Sequence, residues 1–188
     1  LLLIFVTFTS CIDDGSGLLD KAESGDLTEE KIFSDGTLAR RWLYNIYSRL
    51  PKGYARFGAV NPIYLAATTD EAQQAHLGLL TQALWFNEGT WNAANPTDLP
   101  GWKYYWTAIR PANKMIENVD KVPVSIQDGI TEESKLQMKT EAHMLRAIFY
   151  SELLKAYGGV PIITKQLTQF DPALYTPRST FDQTVDFI

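Results

Sequence analysis

The sequence contains a single cysteine, Cys11, among 188 residues. One thiol excludes an internal disulfide framework and a metal site built from several thiolates. Basic residues are also outnumbered by acidic ones: the sequence has 17 Lys and Arg and 22 Asp and Glu, which gives a net charge of −5. No basic run is long enough to follow a phosphate backbone, so we expect no nucleic-acid partner.

Catalytic motifs are absent from the sequence. It has no glycine-rich phosphate loop followed by lysine, no zincin histidine pair, no nucleophile elbow and no calcium loop. His76 and His143 each lack a second ligand at a usable spacing. Asp70 and Glu71 are adjacent, so on a helix they point in different directions and make a poor hydrolase pair. We therefore expect a protein that is not an enzyme and that has no metal and no cofactor.

Long apolar runs are lacking as well. The run from Leu1 to Phe8 is far shorter than the roughly 20 residues that a membrane-spanning helix needs. It suits the end of a signal peptide, and we interpret residues 1–10 as its remnant. The sequence begins at Leu1 rather than Met and stops at Ile188 within a predicted, unfinished helix. We therefore expect a fragment that is cut at both ends.

The position of Cys11 is informative. The small residues Thr9 and Ser10 precede it, and the polar stretch Asp13-Asp-Gly-Ser-Gly17 follows it. This order resembles a bacterial lipobox, in which the cysteine sulfur is lipidated and becomes the new N-terminus. A buried free cysteine in a core strand is the alternative. On the first interpretation residues 11–34 form a lipidated acidic tether, and the helical domain occupies residues 35–188.

Amphipathic helices dominate the remainder. Apolar residues at steps of three and four predict three longer helices, over about residues 37–50, 102–119 and 131–157. Ser34 or Asp35 is expected to cap the first, and Pro111 interrupts the second. Gly158 and Gly159 end the third. Shorter helices are predicted within 27–33, 62–83 and 180–188. The apolar positions of the longest helix are Leu136, Ala142, Leu145, Ile148, Phe149, Leu153 and Ala156. Without alternating strands, the pattern predicts an all-α fold, with helix pairs stacked like tetratricopeptide repeats and incomplete at the C-terminus.

Candidate sugar contacts lie in the polar loop between about residues 86 and 101. Sugars stack their C–H faces on flat rings while amides meet their hydroxyls, so a tryptophan beside asparagines is the expected signature. Trp85 with Asn87 and Trp91 with Asn92 have this character. The alternative is that both rings close the core beneath the loop. The tryptophans on helical stripes, Trp42, Trp102 and Trp106, are expected to pack in the core.

Three polar residues on the predicted helices are assigned structural roles. Glu141 and Arg146 lie five residues apart and do not face each other ideally. Arg146 is expected to satisfy loop or helix-end carbonyls of a neighbouring helix. Asn113 interrupts an apolar stripe and is expected to be a buried amide that ties a loop to its helix.

The order of segments resembles the SusD/RagB family of outer-membrane lipoproteins. The segments that carry the resemblance are Cys11, Leu18-Leu-Asp20, Leu27-Thr-Glu-Glu-Lys-Ile-Phe33, the aromatic helix through Tyr44 and Tyr47, Trp106-Thr-Ala-Ile-Arg-Pro-Ala-Asn113, Glu141-Ala-His-Met-Leu-Arg-Ala-Ile-Phe-Tyr150, Leu153-Leu-Lys-Ala-Tyr-Gly-Gly-Val-Pro-Ile163 and Arg178-Ser179.

The resemblance implies a lipid-anchored glycan-binding lid on a SusC-like TonB-dependent channel, facing the cell exterior and without a catalytic centre. It also implies that Asp13 and Asp14 signal export to the outer face. A lipoprotein of the same fold that imports peptides or other oligomers remains an alternative, as does a helical-repeat adaptor.

Overall fold

The computed structural model describes residues 28–51, 65–72, 85–90, 92, 94 and 101–188. These ranges contain the α-helices α1 (Glu29–Phe33), α2 (Gly36–Tyr47), α3 (Trp102–Asn118), α4 (Glu132–Tyr157) and α5 (Phe181–Phe187). Short 3-10 helices span Leu65–Thr68, Val119–Lys121 and Pro172–Tyr175. No strand occurs within these ranges, where Ser125 and Ile130 form an isolated bridge. The predicted helices between residues 62 and 83 lie largely outside them.

The helices begin where their capping residues predict. The Asp35 carboxylate accepts hydrogen bonds from the backbone N–H groups of Thr37 and Leu38, at 2.7 and 3.0 Å. Thr131 forms a reciprocal capping box with Ser134, and Thr180 forms another with Gln183. Each box satisfies backbone N–H groups that the first turn of a helix leaves without partners. The predicted starts of α2, α4 and α5 are confirmed to within a residue.

Helix α2 ends earlier than its apolar stripe predicts. Its last residue is Tyr47, although the stripe continues to Leu50. Beyond Tyr47 the backbone tightens, because the N–H groups of Arg49 and Leu50 bond carbonyls three residues back. Pro51 disfavours the helical conformation of the residue before it. The influence of the proline on the helix therefore begins before residue 51.

The core lies where α3 and α4 pack together, with α1, α2 and α5 against them. Tyr105 and Phe149 are fully buried, and their ring centroids lie 6.2 Å apart. Helix α3 continues through Pro111, whose carbonyl accepts a hydrogen bond from Trp42 Nε1 at 3.1 Å. The further buried apolar residues are Ile32, Phe33, Ala39, Leu43, Ile46, Ala108, Ile109, Ala112, Met115, Val119, Val122, Ile130, Met138, Ala142, Leu145, Tyr150, Leu153 and Val160.

Helix α1 belongs to this packed region. Its residues Ile32 and Phe33 are buried, and the Phe33 ring meets Trp42 edge to face at 6.3 Å. The short helix predicted within residues 27–33 is thus present and contributes to the core. The division between tether and domain at residue 34 stays a prediction. The core packing nevertheless includes residues before that boundary, namely Ile32 and Phe33.

The predicted apolar face of α4 is wrong at both ends of the helix. Leu136 is 65% exposed, and Ala156 is also exposed, whereas Lys135 and Arg146 are buried. Helices α2, α3 and α5 all contact α4. The buried side of a 26-residue helix with several neighbours widens and turns along its length, so one straight stripe does not describe it. Trp102, which was expected in the core, is likewise 38% exposed.

The chain after α4 is fastened to the end of that helix. The Arg178 guanidinium donates to the carbonyls of Tyr157 and Gly159, the latter from Nε at 2.9 Å. Ser179 N–H donates to the Val160 carbonyl at 3.2 Å. A cation beside the C-terminal carbonyls of a helix also favours the helix dipole. Arg178 therefore closes α4 and places α5 against it.

Candidate functional site

The predicted sugar-binding segment is partly described. Trp85 is half-buried and Asn87 is exposed, in a helical turn at residues 85–87. Asn87 Nδ2 donates to the Ala67 carbonyl at 3.0 Å, which ties this turn to the 3-10 helix Leu65–Thr68. Among the described residues no donor bonds Asn87 Oδ1. Trp91 and Cys11 lie outside the described residues.

Asn92 has a more local role. Its Nδ2 donates to the Thr90 carbonyl at 2.9 Å, and its Oδ1 accepts from the Ala94 N–H at 2.8 Å. Such bonds from an asparagine to its neighbours' backbone stabilise a turn. The exposed Asn92 amide therefore bonds the backbone of its described neighbours Thr90 and Ala94. The predicted set of four residues stays a prediction.

A buried polar network joins α3, α4 and the segment that follows α4. Arg146, 9% exposed, donates from Nη1 to Asn113 Oδ1 at 2.9 Å. Asn113 Nδ2 donates to the Ile163 carbonyl at 2.9 Å. The Ile163 N–H donates to the Tyr150 hydroxyl oxygen at 2.8 Å. Asn113 thus ties a loop to its helix as predicted, whereas Arg146 bonds a side-chain amide rather than the backbone carbonyls expected for it.

The electrostatics of this network indicate structure rather than proton transfer. Burial lowers the pKa of the Arg146 guanidinium, which nevertheless stays protonated in proteins. Burial raises the pKa of the Tyr150 hydroxyl, which is therefore neutral at physiological pH. Burial, followed by the charge of Arg146, lowers the pKa of His143, whose Nδ1 lies 3.2 Å from Arg146 Nη2. Glu141 accepts a hydrogen bond from Tyr47 at 2.9 Å and so links α4 to α2.

A groove of about 210 Å³ opens between α3 and the chain that follows α4. Its walls are mainly apolar, with the half-buried indole of Trp106 on one side and Leu167 and Leu174 on the other. Arg110 and Lys165 supply its charged groups. The amino-acid sequence does not indicate a site here. Arg110 and Lys165 are 55 positions apart in the sequence and line one groove only in the folded chain, so no local motif indicates the site.

A second groove, of about 500 Å³, lies between α1 and the end of α3. Part of its polar lining is bonded internally. Asn118 Nδ2 donates to Glu29 Oε1 at 2.9 Å, and Lys121 Nζ donates to Asn118 Oδ1 at 2.7 Å. Lys114 Nζ lies 2.7 Å from Glu29 Oε2 and 5.5 Å from the centre of the Trp42 ring. These contacts hold α1 on α3.

The described ranges contain no group of three or more histidine, cysteine or acidic side chains placed to hold a metal ion. None of their helices combines the length and the hydropathy that crossing a bilayer would require.

Comparison with known proteins identifies relatives for this fold. A SusD-like family model, described as starch-binding and associating with the outer membrane, matches residues 20–188. A SusD-like protein, P38, of Formosa agariphila is 28% identical over 92 residues, which are 49% of this chain and 16% of that protein.

A crystal structure of a SusD-like protein from Bacteroides fragilis agrees with the chain at a TM-score of 0.61 and 26% sequence identity. The match covers 89% of this chain and 30% of that one. The chain thus spans less than a third of the length of the relatives it matches. The likeness confirms the predicted all-α fold with tetratricopeptide-like packing. Because the family model matches nearly the whole sequence, from residue 20 to residue 188, the chain belongs to the SusD/RagB family.

Proposed function

We propose that the chain is a cell-surface lipoprotein that binds oligosaccharides and passes them to a SusC-like TonB-dependent channel in the outer membrane. In this proposal the chain holds its ligand without cleaving it. The observation that carries the proposal is the match of residues 20–188 to a family described as starch-binding and associating with the outer membrane.

The geometry of the Trp85–Asn92 segment supports a sugar-binding role. Asn87 is exposed, and its Nδ2 bonds the Ala67 carbonyl, so its amide group keeps a defined direction. A polar group held in place before a ligand arrives loses little entropy on binding. Asn92 bonds the backbone of Thr90 and Ala94. In the sequence Trp91 stands next to this amide, which is the combination of residue types expected to stack on a pyranose ring and to bond its hydroxyls.

The first prediction concerns Trp91. Trp91→Ala in the intact protein should weaken oligosaccharide binding by roughly 1–3 kcal/mol, by analogy with the stacking of aromatic side chains on nucleic-acid bases. The melting temperature should stay nearly unchanged, because a ring that stacks on ligand adds little to the core. Calorimetric titration against a panel of plant, host and microbial glycans measures the loss of affinity.

Trp42→Ala is the matched control for Trp91→Ala. The Trp42 indole donates to the Pro111 carbonyl and contacts Phe33, so its removal should lower stability and leave the affinity of the folded fraction unchanged. An unaltered affinity in Trp91→Ala, or a collapse of folding, would return Trp91 to the core. Binding of peptides in place of all glycans would favour the alternative ligand class.

The second prediction concerns the anchor. Cys11→Ser should release the protein into the soluble fraction, because a serine hydroxyl does not take the thioether-linked diacylglyceryl group. Chains of a lipid anchor contribute roughly 0.8 kcal/mol for each buried CH₂, so a multi-acylated protein does not leave its membrane. Fractionation with mass spectrometry of the N-terminal peptide measures both effects. Retention of Cys11→Ser in the outer membrane, with no lipid on the wild-type peptide, would refute the anchor.

A further inference from the structure

The groove between α3 and the chain after α4 has the walls of a small ligand site. Trp106 and Ile109 form its α3 side, and Leu167 and Leu174 close it from the other side. Its volume of about 210 Å³ lies below the roughly 300–1,000 Å³ of sites that enclose a drug-sized molecule. The groove is therefore suited to one ring with apolar faces rather than to a folded peptide segment.

The charged groups of the groove have an excess of positive charge. Arg110 is exposed and has no acidic partner among the residues that the structure describes. Lys165 Nζ lies 3.2 Å from Asp171 Oδ2, and the other oxygen of that carboxylate accepts from the Ala173 N–H at 2.9 Å. Asp171 thus bonds Lys165 and its own loop, and no acidic side chain of the described residues is paired with the Arg110 guanidinium.

The groove has little to offer a neutral sugar. Its amide, Asn113, already donates to the Ile163 carbonyl and accepts from Arg146. Neutral pyranoses need several such donors and acceptors for their hydroxyls, whereas a carboxylate is met by one guanidinium through two parallel hydrogen bonds. Recognition of a negative charge by the Arg110 guanidinium is a polar interaction that the described part of the groove has available.

From this combination we propose that the groove binds a single uronic-acid ring, whose carboxylate pairs with Arg110 while its C–H faces pack on Trp106 and Leu174. The site is distinct from the Trp85–Asn92 segment. The proposal rests on the proposed function, because it takes the chain to be a glycan-binding protein, and it adds an acidic class of ligand.

The test compares an acidic oligosaccharide with its neutral twin. Tetragalacturonate and its methyl ester are titrated calorimetrically into the intact protein at low and at high salt. The acid should bind at least about tenfold more tightly than the ester at low salt, and the difference should shrink at high salt, which screens exposed charge pairs. Glucuronate-containing hyaluronan tetrasaccharide and its methyl ester serve as the second pair.

Arg110→Gln should reduce the affinity for the acid about tenfold and leave that for the ester unchanged. Arg110→Lys should recover part of the loss, because it keeps the charge and lacks the two-pronged geometry. Lys103→Gln removes an exposed charge from the same helix outside the groove and should have no effect. Thermal melts establish that the variants are folded.

Equal affinity for acid and ester in both pairs would overturn the inference, as would equal losses in Arg110→Gln and Lys103→Gln. Neutral glycans that bind in a Trp91-dependent manner would still support the proposed function in that case. Absence of binding to every glycan, neutral or acidic, would instead refute the proposed function.

Discussion

Replacing Phe149 with alanine should lower the free energy of unfolding of the intact protein by about 3–5 kcal/mol. The Phe149 ring is fully buried between α3 and α4, and its centroid lies 6.2 Å from that of Tyr105. Truncation removes the transfer free energy of the ring and leaves a cavity that packed helices fill only partly. Urea unfolding followed by circular dichroism measures the loss.

Leu136→Ala is the control on the same helix. Leu136 is 65% exposed, so its truncation should change the free energy of unfolding by no more than about 0.5 kcal/mol. The sequence pattern placed both residues on one apolar face, and only the folded chain separates them. A loss below about 1 kcal/mol in Phe149→Ala, or equal losses in both variants, would mean that α4 presents a different face to α3.

The starts of the helices were predictable because capping is a local interaction. Asp35, Thr131 and Thr180 each bond backbone N–H groups two or three residues ahead, and the sequence displays such pairs directly. The end of α4 was equally visible, because Gly158 adopts a φ of 70° that other residues rarely take.

The buried face of α4 could not be predicted in full, because it depends on its neighbours. Arg146 occupies a core position, where it bonds Asn113 and lies 5.2 Å from the centre of the Phe187 ring. The sequence predicted that Arg146 contacts a neighbouring helix, but it did not identify the side chain that Arg146 bonds. That partner, Asn113, lies 33 residues away and on another helix.

The two candidate sites also differ in whether the sequence alone indicates them. The composition of one short stretch identified Trp85, Asn87, Trp91 and Asn92, because tryptophans and amides stand side by side there. Arg110 and Lys165 belong to elements 55 residues apart and share a groove only after α3 and α4 have packed. A site assembled by tertiary packing leaves no periodicity and no spacing in the sequence.

The second large effect is expected for Gly159→Ala. A Cβ at this position would overlap the Ser179 carbonyl oxygen and lie 2.7 Å from the Thr180 carbonyl carbon. These atoms belong to the backbone and have no rotamer in which to yield. Overpacking commonly costs roughly 1–3 kcal/mol, and a clash with backbone belongs at the upper end, so we expect a loss of about 3 kcal/mol or more. Thermal or urea unfolding of the intact protein measures it.

A local readout separates this clash from a general loss of stability. The methyl group introduced by Gly159→Ala would push residues 179–180 away and so break the bond from Ser179 N–H to the Val160 carbonyl. Trypsin should then cut after Arg178 faster than in the wild type, because freed backbone enters a protease more readily. Gly158→Ala is the matched control, since its Cβ would meet no atom within 4 Å and its cost, roughly 1–3 kcal/mol, comes from its backbone conformation alone. If both variants lose the same stability and are cut at the same rate, the contact of Gly159 with Ser179 does not hold α5 in place.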